Sequence, residues 1–396
     1  MAAPEDTLVR AKAMALQMGI SRVTDITRLD RIGIPVFASI RPGAMEGSLC
    51  VNAGKGVRGI EAEVGAYMEA IECAVAEPVR SRRQIFAAMP RDLLGGGQSL
   101  AVIANFCPFH GQRPSLALPI DCVVAEDLVS RTEVLVPAEL VFLPYEPQHG
   151  PPLFGSSSNG LSSGNSISEA TLHALLEIVE RDVVSFQHVR DRARAINLDT
   201  IPKIAKEQIE AIHDAGLAVH VRAMREDFGI PVFVTDIFDP GSLGPVILST
   251  GYGCHVLREI ALIRAITEAV QCRLSAIHGG RDDLERAKHR FIRGGLRDSE
   301  RRMASSFQSL AASPAIMTFT DVKANMPPPK SIDDAVGNLI DRLLESGIRH
   351  VCRVVFTSLN EQLQVVRLLV PGLEHFSPDF PRLGPRLLSY LHDQVA

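Results

Sequence analysis

The chain has 396 residues, of which 46% are hydrophobic and 22% are charged, and its net charge is −5. This composition is typical of a globular protein with a substantial core, and the charge excludes the strongly basic surface that binds nucleic acid or anionic membranes. No apolar run reaches the roughly 18 residues of a membrane span and the N-terminus lacks a signal pattern, so we expect a cytoplasmic protein without nucleic-acid or membrane partners.

The predicted elements begin with helical periodicity over Thr7–Met18, followed by a turn that leads into a strand within Asp25–Ile40. From Cys50, a glycine-flanked lysine, Lys55, runs into a helix. Phosphate oxygens can meet backbone N–H groups and one ammonium at such a place. The spacing is not that of a Walker A loop.

Two apolar runs, Leu100–Phe106 and Glu133–Leu143, are predicted as strands. A segment rich in Pro, Gly and Ser then extends from Pro144 to Asn165. It is long for a connection inside a compact domain, and loops of this length are often functional. We interpret it as a loop that delivers Ser158 and Asn159 to the helix that follows.

That helix begins at about Ser166 with a serine cap, and one of its edges is acidic. At about 100° per residue, four side chains share this edge: Glu169, His173, Glu177 and Glu180. Three glutamates often form only a solvated face, but here the remaining surface is apolar, which predicts a largely buried helix. Buried like charges need cations between them, and carboxylate oxygens suit Mg²⁺ or Ca²⁺.

The C-terminal half is predicted as strands at Leu217–Met224, Ile230–Phe238 and Pro245–Thr250, then a helix over Leu257–Ile277. On this helix three side chains share a face and Arg273 does not: Arg264, Glu268 and Gln271. A last helix over Ile332–Glu345, a strand near Val351–Phe356 and an extended, Pro-containing tail complete the chain.

Comparing the chain with itself reveals one phrase, A-x-x-E-x-φ-[E/Q] with φ apolar, at Ala66–Glu72, Ala174–Glu180 and Ala265–Gln271. A single copy of this sequence is common in helices, but three copies near glycine-rich loops predict three helices that meet at one centre. The centre would combine many carboxylates with a few cations, which suits a polyphosphate such as ATP bound through Mg²⁺. Its members are Glu69, Glu72, Glu169, Glu177, Glu180, Glu268 and Gln271, with Lys55, Arg181 and Arg273 as counter-charges.

These residues resemble the nucleotide-binding motifs of the YcaO family. The matching segments are G-K-G before E-A-I-E, S-N-G before E-A-x-x-H-A-L-x-E-x-x-E-R-D, and E-A-x-Q-x-R, in that order. The segment around Thr7 and Arg10 also resembles the family's first helix, which reaches the nucleotide.

The resemblance implies one α/β domain over residues 1–375, with mixed sheets and helices around a central ATP and Mg²⁺ site, and a tail over 376–396. It also implies roles for single residues. The implied metal ligands are Glu69, Glu72, Glu169, Glu177 and Glu180. The implied nucleotide contacts are Thr7, Lys55, Ser158, Asn159, Arg181, Gln271 and Arg273. The implied catalytic residues are Glu180, Arg181 and Arg273.

Members of the family use ATP to activate a backbone amide of a ribosomal precursor peptide, which gives an azoline or, with a sulfur donor, a thioamide. Many cyclodehydratases of the family end in P-x-P-x-P. This chain lacks that ending, and its V-P-G-L-E segment is closer to members that act with a TfuA-like partner in thioamide formation. A homodimer is also expected. The alternatives are an accessory subunit that binds nucleotide without catalysis, and a purely structural metal site.

Overall fold

The computed structural model describes residues 2–96, 100–112, 114–224, 227–242, 244–281, 295–312, 316–358 and 361–395. The helices in these ranges are α1 (Pro4–Ala15), α2 (Gly59–Val75), α3 (Ala101–Ala104), α4 (Ile167–Val189), α5 (Lys203–Asp214), α6 (Arg258–His278), α7 (Leu296–Ala311), α8 (Ile332–Glu345) and α9 (Pro385–Val395). The strands are β1 (Arg22–Asp25), β2 (Val36–Ile40), β3 (Val51–Lys55), β4 (Phe86–Ala88), β5 (Ile120–Asp127), β6 (Thr132–Pro137), β7 (Leu161–Gly164), β8 (Arg194–Ala195), β9 (Ala218–Ala223), β10 (Val232–Phe238), β11 (Leu248–Cys254), β12 (Cys352–Val355), β13 (Gln364–Leu369), β14 (Phe376–Ser377) and β15 (Phe380–Pro381).

The described strands form four antiparallel sheets, with the orders β1-β2-β3, β11-β10-β9-β8, β4-β5-β12-β13-β7 and β14-β15, and β6 pairs with β5. In this arrangement β3, β7 and β11 each lie at the edge of a sheet. Each of these edge strands is followed along the chain by one long helix, α2, α4 or α6. The fold therefore contains three strand–helix units, and each carries one copy of the repeated phrase.

Glycine allows the strand and the helix of a unit to lie almost in backbone contact. A Cβ atom built on Gly54 of β3 would lie 2.1 Å from the Ala66 nitrogen of α2, and one built on Gly251 of β11 would lie 2.1 Å from the Ala269 nitrogen of α6. Any larger side chain would force the two elements apart. The edge strands consequently run directly beneath the acidic faces of the helices.

Helix α4 is the central element, as its apolar surface predicts. Its N-cap Ser166 accepts a hydrogen bond from the Glu169 N–H at 3.1 Å. One hydrophobic cluster packs Leu175 and Leu176 of α4 against Val366 of β13 and Val234 of β10. The helix thus joins the six-stranded sheet to the four-stranded sheet.

A second core lies around α6, where Ala265 and Ile266 pack with Ala53 of β3 and Phe233 of β10. Since Ala53 belongs to the three-stranded sheet and Phe233 to the four-stranded sheet, α6 joins these two sheets. The long helices therefore bring all three edge strands to one region.

Most predicted elements are present, including α4 and the helix at Ile332–Glu345, but three predictions are wrong. The expected strand over 100–106 is instead the short helix α3, and the strand in 133–143 stops at Pro137, after which Ala138–Leu140 form a 3-10 turn. The C-terminal segment is not extended chain. It forms a hairpin and the amphipathic helix α9, which is held to α4 by an ion pair of 2.6 Å between Arg386 and Asp182.

Within the ranges given above, no helix combines the length and the apolarity required to cross a membrane.

Candidate nucleotide and metal site

A cavity of about 830 Å³ opens between α2, α4 and α6, with further wall residues from α1, β3, β7 and β11. The predicted convergence of the three phrase-bearing helices is therefore present in the structure. Eleven of the predicted residues line this cavity: Thr7, Lys55, Glu69, Glu72, Ser158, Glu169, Glu177, Glu180, Arg181, Glu268 and Gln271. Its volume is that of a typical small-ligand pocket.

Backbone N–H groups near the edge strands orient the glutamates of the cavity. The Ala53 N–H of β3 donates to Glu69 at 3.2 Å, and the Tyr252 N–H of β11 donates to Glu268 at 3.2 Å. Such N–H groups at a sheet edge would otherwise pair with another strand. In each glutamate the N–H fixes one carboxylate oxygen, and the second oxygen of Glu268 contacts the Lys55 ammonium.

Asn165 connects the N-terminal helix to this site. Its backbone N–H donates to Glu169 at 3.1 Å, and its side-chain oxygen lies 3.2 Å from the Thr7 hydroxyl and 3.0 Å from the Arg10 guanidinium. Thr7 is 5% exposed and lies on the cavity wall. The Asn165 side chain thus connects helix α1 to the start of α4.

Four cationic side chains line the cavity together with the carboxylates: Lys55, Arg181, Arg264 and Arg281. Lys55 contacts Glu268 at 2.5 Å, and Arg181 lies 3.9 Å from Glu180. Arg264, which shares a face of α6 with Glu268, also lines the cavity. These cations are suitable partners for phosphate oxygens, and Lys55 and Arg181 can exchange their carboxylate partners for a ligand.

Burial strongly affects the titration of the carboxylates. It raises the pKa of Glu72 to about 8 and that of Glu177 to about 7, and it raises the pKa of Glu180. For Glu72, Glu69 and Glu177 add to the effect, whereas Arg181 opposes it at Glu177. Without a bound metal ion, these carboxylates are therefore harder to ionise, because their negative charges lie close together in a buried place.

The donor set fits Mg²⁺ held together with a phosphate ligand. Within the described ranges no three His, Cys, Asp or Glu side chains converge as a complete metal centre. Mg²⁺ does not need such a centre, because it is commonly bound by one or two carboxylates, water and substrate phosphates. The carboxylates with raised pKa values would supply these anionic ligands, and Lys55, Arg181 and Arg264 would supply phosphate contacts.

His173, on the acidic edge of α4, also lines the cavity. Burial lowers its pKa, and the positive charge of Arg264 lowers it further, against the opposing effect of Glu169. The imidazole is therefore neutral at pH 7. A neutral ring in this position adds no charge to the site.

Two residues assigned to the nucleotide do not line the cavity. Arg273 is 2% exposed, and it contacts Asp30 and Asp239 at 2.8 Å each, within the core behind α6. Its guanidinium also donates to the Val246 carbonyl oxygen, so its hydrogen-bonding capacity is already used. Asn159 follows Ser158, but it lines a separate small cavity of about 40 Å³. We leave both out of the site.

The glycine–lysine loop before α2 differs from the predicted phosphate cradle. The backbone N–H groups of Val57 and Arg58 both donate to Glu61 at 3.1 Å. This carboxylate caps the helix and occupies the donors that a phosphate would use. Lys55 remains directed to the cavity, so the ammonium and not the helix terminus is the anionic contact.

Sequence reasoning missed three residues with clear structural roles, namely Asn165, Tyr252 and Arg367. Tyr252 lines the cavity, and burial raises the pKa of its hydroxyl group. Arg367 lies within the apolar run V-V-R-L-L-V and is fully buried. A charge inside a buried strand was the available signal, because Arg is almost never fully buried without a partner.

The family of the chain follows from a model match over residues 53–374, to the YcaO cyclodehydratase family, described as ATP- and Mg²⁺-binding. This match covers most of the chain and all three acidic helices.

Two relatives match almost the whole chain. An uncharacterised protein of Methanothermobacter thermautotrophicus is 35% identical, over 98% of both chains. An uncharacterised protein from the tfuA 3′ region of Rhizobium leguminosarum bv. trifolii is 32% identical, over 98% of this chain and 91% of the relative.

Two solved structures share the fold. YcaO from Methanopyrus kandleri, bound with AMPPCP and Mg²⁺, matches 97% of this chain and 94% of its own, with a TM-score of 0.73 and 24% identity. A heterocyclase in complex with substrate and cofactor matches 95% of this chain and 53% of its own, with a TM-score of 0.70 and 19% identity. The chain has the mixed α/β YcaO fold and belongs to the YcaO family, whose cofactors are ATP and Mg²⁺.

Proposed function

We propose that this protein uses ATP to activate a backbone amide of a peptide, and that the product is a thioamide formed with a sulfur donor and a TfuA-like partner protein. The observation that carries the proposal is the meeting of α2, α4 and α6 at one cavity, lined by half-buried or buried carboxylates and four cations. That combination suits a nucleotide triphosphate bound through Mg²⁺.

The proposed metal ligands are Glu69, Glu72, Glu169, Glu177 and Glu180, whose carboxylates surround the cavity. Mg²⁺ would neutralise these carboxylates and withdraw charge from the phosphate oxygens. Lys55 and Arg181 would bind phosphate oxygens in exchange for their present contacts with Glu268 and Glu180. Thr7, Ser158 and Gln271 would hold the nucleotide at the cavity wall.

The reaction balances with a hydrosulfide equivalent as the nucleophile. Its sulfur adds to the amide carbon, the carbonyl oxygen takes the terminal phosphoryl group of ATP, and the carbon–oxygen bond then breaks to release phosphate. The products are a thioamide, ADP and phosphate. Arg181, whose pKa the neighbouring Glu180, Glu268 and Glu177 hold above its usual value against the effect of burial, would stabilise negative charge on the transferred oxygen atoms.

Two features favour the thioamide over an azoline. One relative is encoded in a tfuA 3′ region. The second feature is the C-terminal segment, which forms helix α9 and not the P-x-P-x-P segment of many cyclodehydratases. Helix α9 packs on the side of α4 away from its acidic edge, through the Asp182–Arg386 ion pair and an edge-to-face contact between the rings of Phe186 and Tyr390. An azoline would require a Cys, Ser or Thr side chain of the peptide itself as nucleophile.

The test combines purified protein, Mg²⁺, ATP, a sulfide source, a TfuA-like protein and candidate peptides. Mass spectrometry separates the outcomes, because thioamide formation replaces oxygen by sulfur whereas azoline formation removes water. We expect sulfur incorporation with stoichiometric release of phosphate. A peptide mass lower by one water would instead identify the product as an azoline and overturn the thioamide assignment.

The accessory-subunit alternative makes a different prediction for the same experiment. Calorimetry would then detect nucleotide and Mg²⁺ binding, while neither phosphate release nor any change in peptide mass would occur in the presence of the partner. The double variant Glu177→Gln/Glu180→Gln is the control, because it should abolish binding in both cases.

A further inference from the structure

Arg367, in the middle of β13, is a fully buried arginine that has no carboxylate partner among the described residues. All three of its nitrogens donate to backbone carbonyl oxygens: Nε to Val141 at 3.0 Å, Nη1 to Asn159 at 2.8 Å and Nη2 to Ser157 at 2.7 Å. A buried charge without an ion-pair partner is costly. The structure gives Arg367 two roles that offset this cost.

The first reason lies in the segment that Arg367 holds. Ser157 and Asn159 flank Ser158, which reaches the cavity wall. A planar guanidinium can hold two carbonyl groups in a fixed orientation, as a lysine ammonium cannot. By holding the carbonyl groups on both sides of Ser158, Arg367 therefore sets the position of the Ser158 side chain at the cavity wall.

The second reason is electrostatic. Burial lowers the pKa of Arg367 to about 10, while Glu177 and Glu72 act in the opposite direction. The effect is mutual, because Arg367 lowers the pKa of Glu177. Geometry agrees, because Arg367 pairs with Leu161 of β7, which lines the cavity. The guanidinium thus lies close enough to the carboxylate cluster to offset part of its charge without forming an ion pair with any described carboxylate.

We propose that Arg367 is a positioning residue with two linked actions: it anchors the Ser157–Asn159 segment, and it is the fixed counter-charge of the carboxylate cluster. This inference rests on the proposed function in so far as the cluster binds Mg²⁺ and a nucleotide. Its electrostatic part predicts opposite effects of Arg367 on the binding of the two ligands. A fixed cation repels a metal ion but attracts a polyphosphate.

Arg382 provides a matched control. It is also a buried arginine, 6% exposed, whose nitrogens donate to the carbonyl oxygens of Cys107 at 2.7 Å and Phe106 at 2.6 Å. The groups that act on its charge are Cys107, Glu139 and Glu374, none of which belongs to the cluster. Arg382 acts on the charge of Arg367, but it is not among the groups that shift the pKa of Glu72, Glu177 or Glu180. Replacing Arg382 therefore removes a comparable buried cation that does not act directly on these carboxylates.

The experiment measures Mn²⁺ binding without nucleotide, by electron paramagnetic resonance, and separately the binding of a non-hydrolysable ATP analogue at saturating Mg²⁺. For Arg367→Gln we expect Mn²⁺ to bind about tenfold more tightly and the nucleotide about tenfold more weakly, as the loss of one nearby positive charge predicts. Arg382→Gln should shift neither by more than about twofold. Equal weakening of both ligands in Arg367→Gln, or no change in either, would overturn the proposal.

A second variant covers a failure of Arg367→Gln to fold. Arg367→Lys keeps the charge but loses the fork, so Mn²⁺ affinity should remain unchanged while nucleotide binding weakens and amide hydrogen exchange at residues 158–160 becomes faster. Unchanged exchange there would refute the anchor. If the wild-type protein binds neither Mn²⁺ nor nucleotide, the proposed function fails, whereas hydrogen exchange still tests the anchor.

Discussion

Glu72 on α2 accepts two hydrogen bonds from Ser163 on β7, one from the backbone N–H at 2.8 Å and one from the hydroxyl group at 2.5 Å. The contact joins the first strand–helix unit to the edge strand of the second. A carboxylate of the proposed metal site therefore also connects α2 to the sheet that contains β7. The ionisation of Glu72 should consequently influence both ligand binding and stability.

The metal-free protein should lose stability as the pH rises from about 7.5 to 8.5. The pKa of Glu72 is about 8 in the folded protein against an ordinary value of 4.5, so over this range the folded state holds a proton that the unfolded chain has released. Stability then falls with rising pH, by up to about 1.4 kcal/mol per pH unit for each such group. Glu177, with a pKa of about 7, contributes mainly below this range.

Thermal unfolding in buffers of different pH, with a chelator present, measures this slope. Glu72→Gln should flatten it, since the amide cannot titrate. A slope that is unchanged in Glu72→Gln would contradict the assignment. The range starts at about 7.5 because buried histidines such as His255, whose pKa burial lowers to about 4, still bind protons in the unfolded chain near pH 6.5, which makes stability rise with pH there.

Glu177→Gln and Glu180→Gln should weaken binding of the Mg²⁺–nucleotide complex by about tenfold or more without destabilising the metal-free protein. Each change deletes a ligand oxygen charge and at the same time relieves repulsion between buried carboxylates. Calorimetry measures the affinity and thermal unfolding the stability. A fall in melting temperature with intact nucleotide binding would identify these glutamates as structural groups.

Arg273→Ala should behave in the opposite way, because Arg273 neutralises Asp30 and Asp239 inside the core. Removing one partner of a buried ion pair leaves uncompensated charge and costs about 3–5 kcal/mol. We expect a large fall in the free energy of unfolding, measured by denaturant titration. Nucleotide affinity of the remaining folded fraction should change little.

Arg181→Ala is the comparison, since Arg181 lies at the cavity and is not tied into that core network. It should lower phosphate affinity with a smaller effect on stability. If Arg273→Ala abolished nucleotide binding in a protein of normal stability, the direct role first expected for this residue would be restored.

Gly251→Ala should destabilise the protein by about 1–3 kcal/mol, because the new Cβ would lie 2.1 Å from the Ala269 nitrogen and 2.5 Å from the Ala265 oxygen, both backbone atoms. Gly337→Ala is the matched control. Gly337 lies within α8 and has no atom within 4 Å of its Cβ position, so alanine there should stabilise by about 0.5–1 kcal/mol. Chemical denaturation of both variants measures the difference, and equal effects would contradict the close packing of β11 and α6.

The sequence alone predicts the acidic helices and their meeting point well. Periodicity identifies α4 and its buried acidic edge, and the repeated phrase identifies α2 and α6 as its partners. The inference works because a helix fixes which side chains share a face. The wide apolar surface of α4 also predicts its central position, which the packing of Leu175 and Leu176 confirms.

Other features depend on partners distant in sequence. Arg273 is separated by 243 residues from Asp30, and nothing local to either residue indicates the pair. Likewise, the apolar run at 100–106 resembles a strand, yet it forms a short helix because Ile103 and Phe106 pack into a core built with β5 and β6. Local pattern does not specify such tertiary contacts.

The edge strands have a final consequence, which concerns self-association. An open sheet edge offers unpaired N–H groups to any passing chain and is a common starting point for aggregation. Here Glu69 covers the edge of β3 at Ala53, and Glu268 covers the edge of β11 at Tyr252. The carboxylates that make the cavity acidic therefore also block strand pairing at two sheet edges. We expect a variant without them to form oligomers through the exposed edges of β3 and β11.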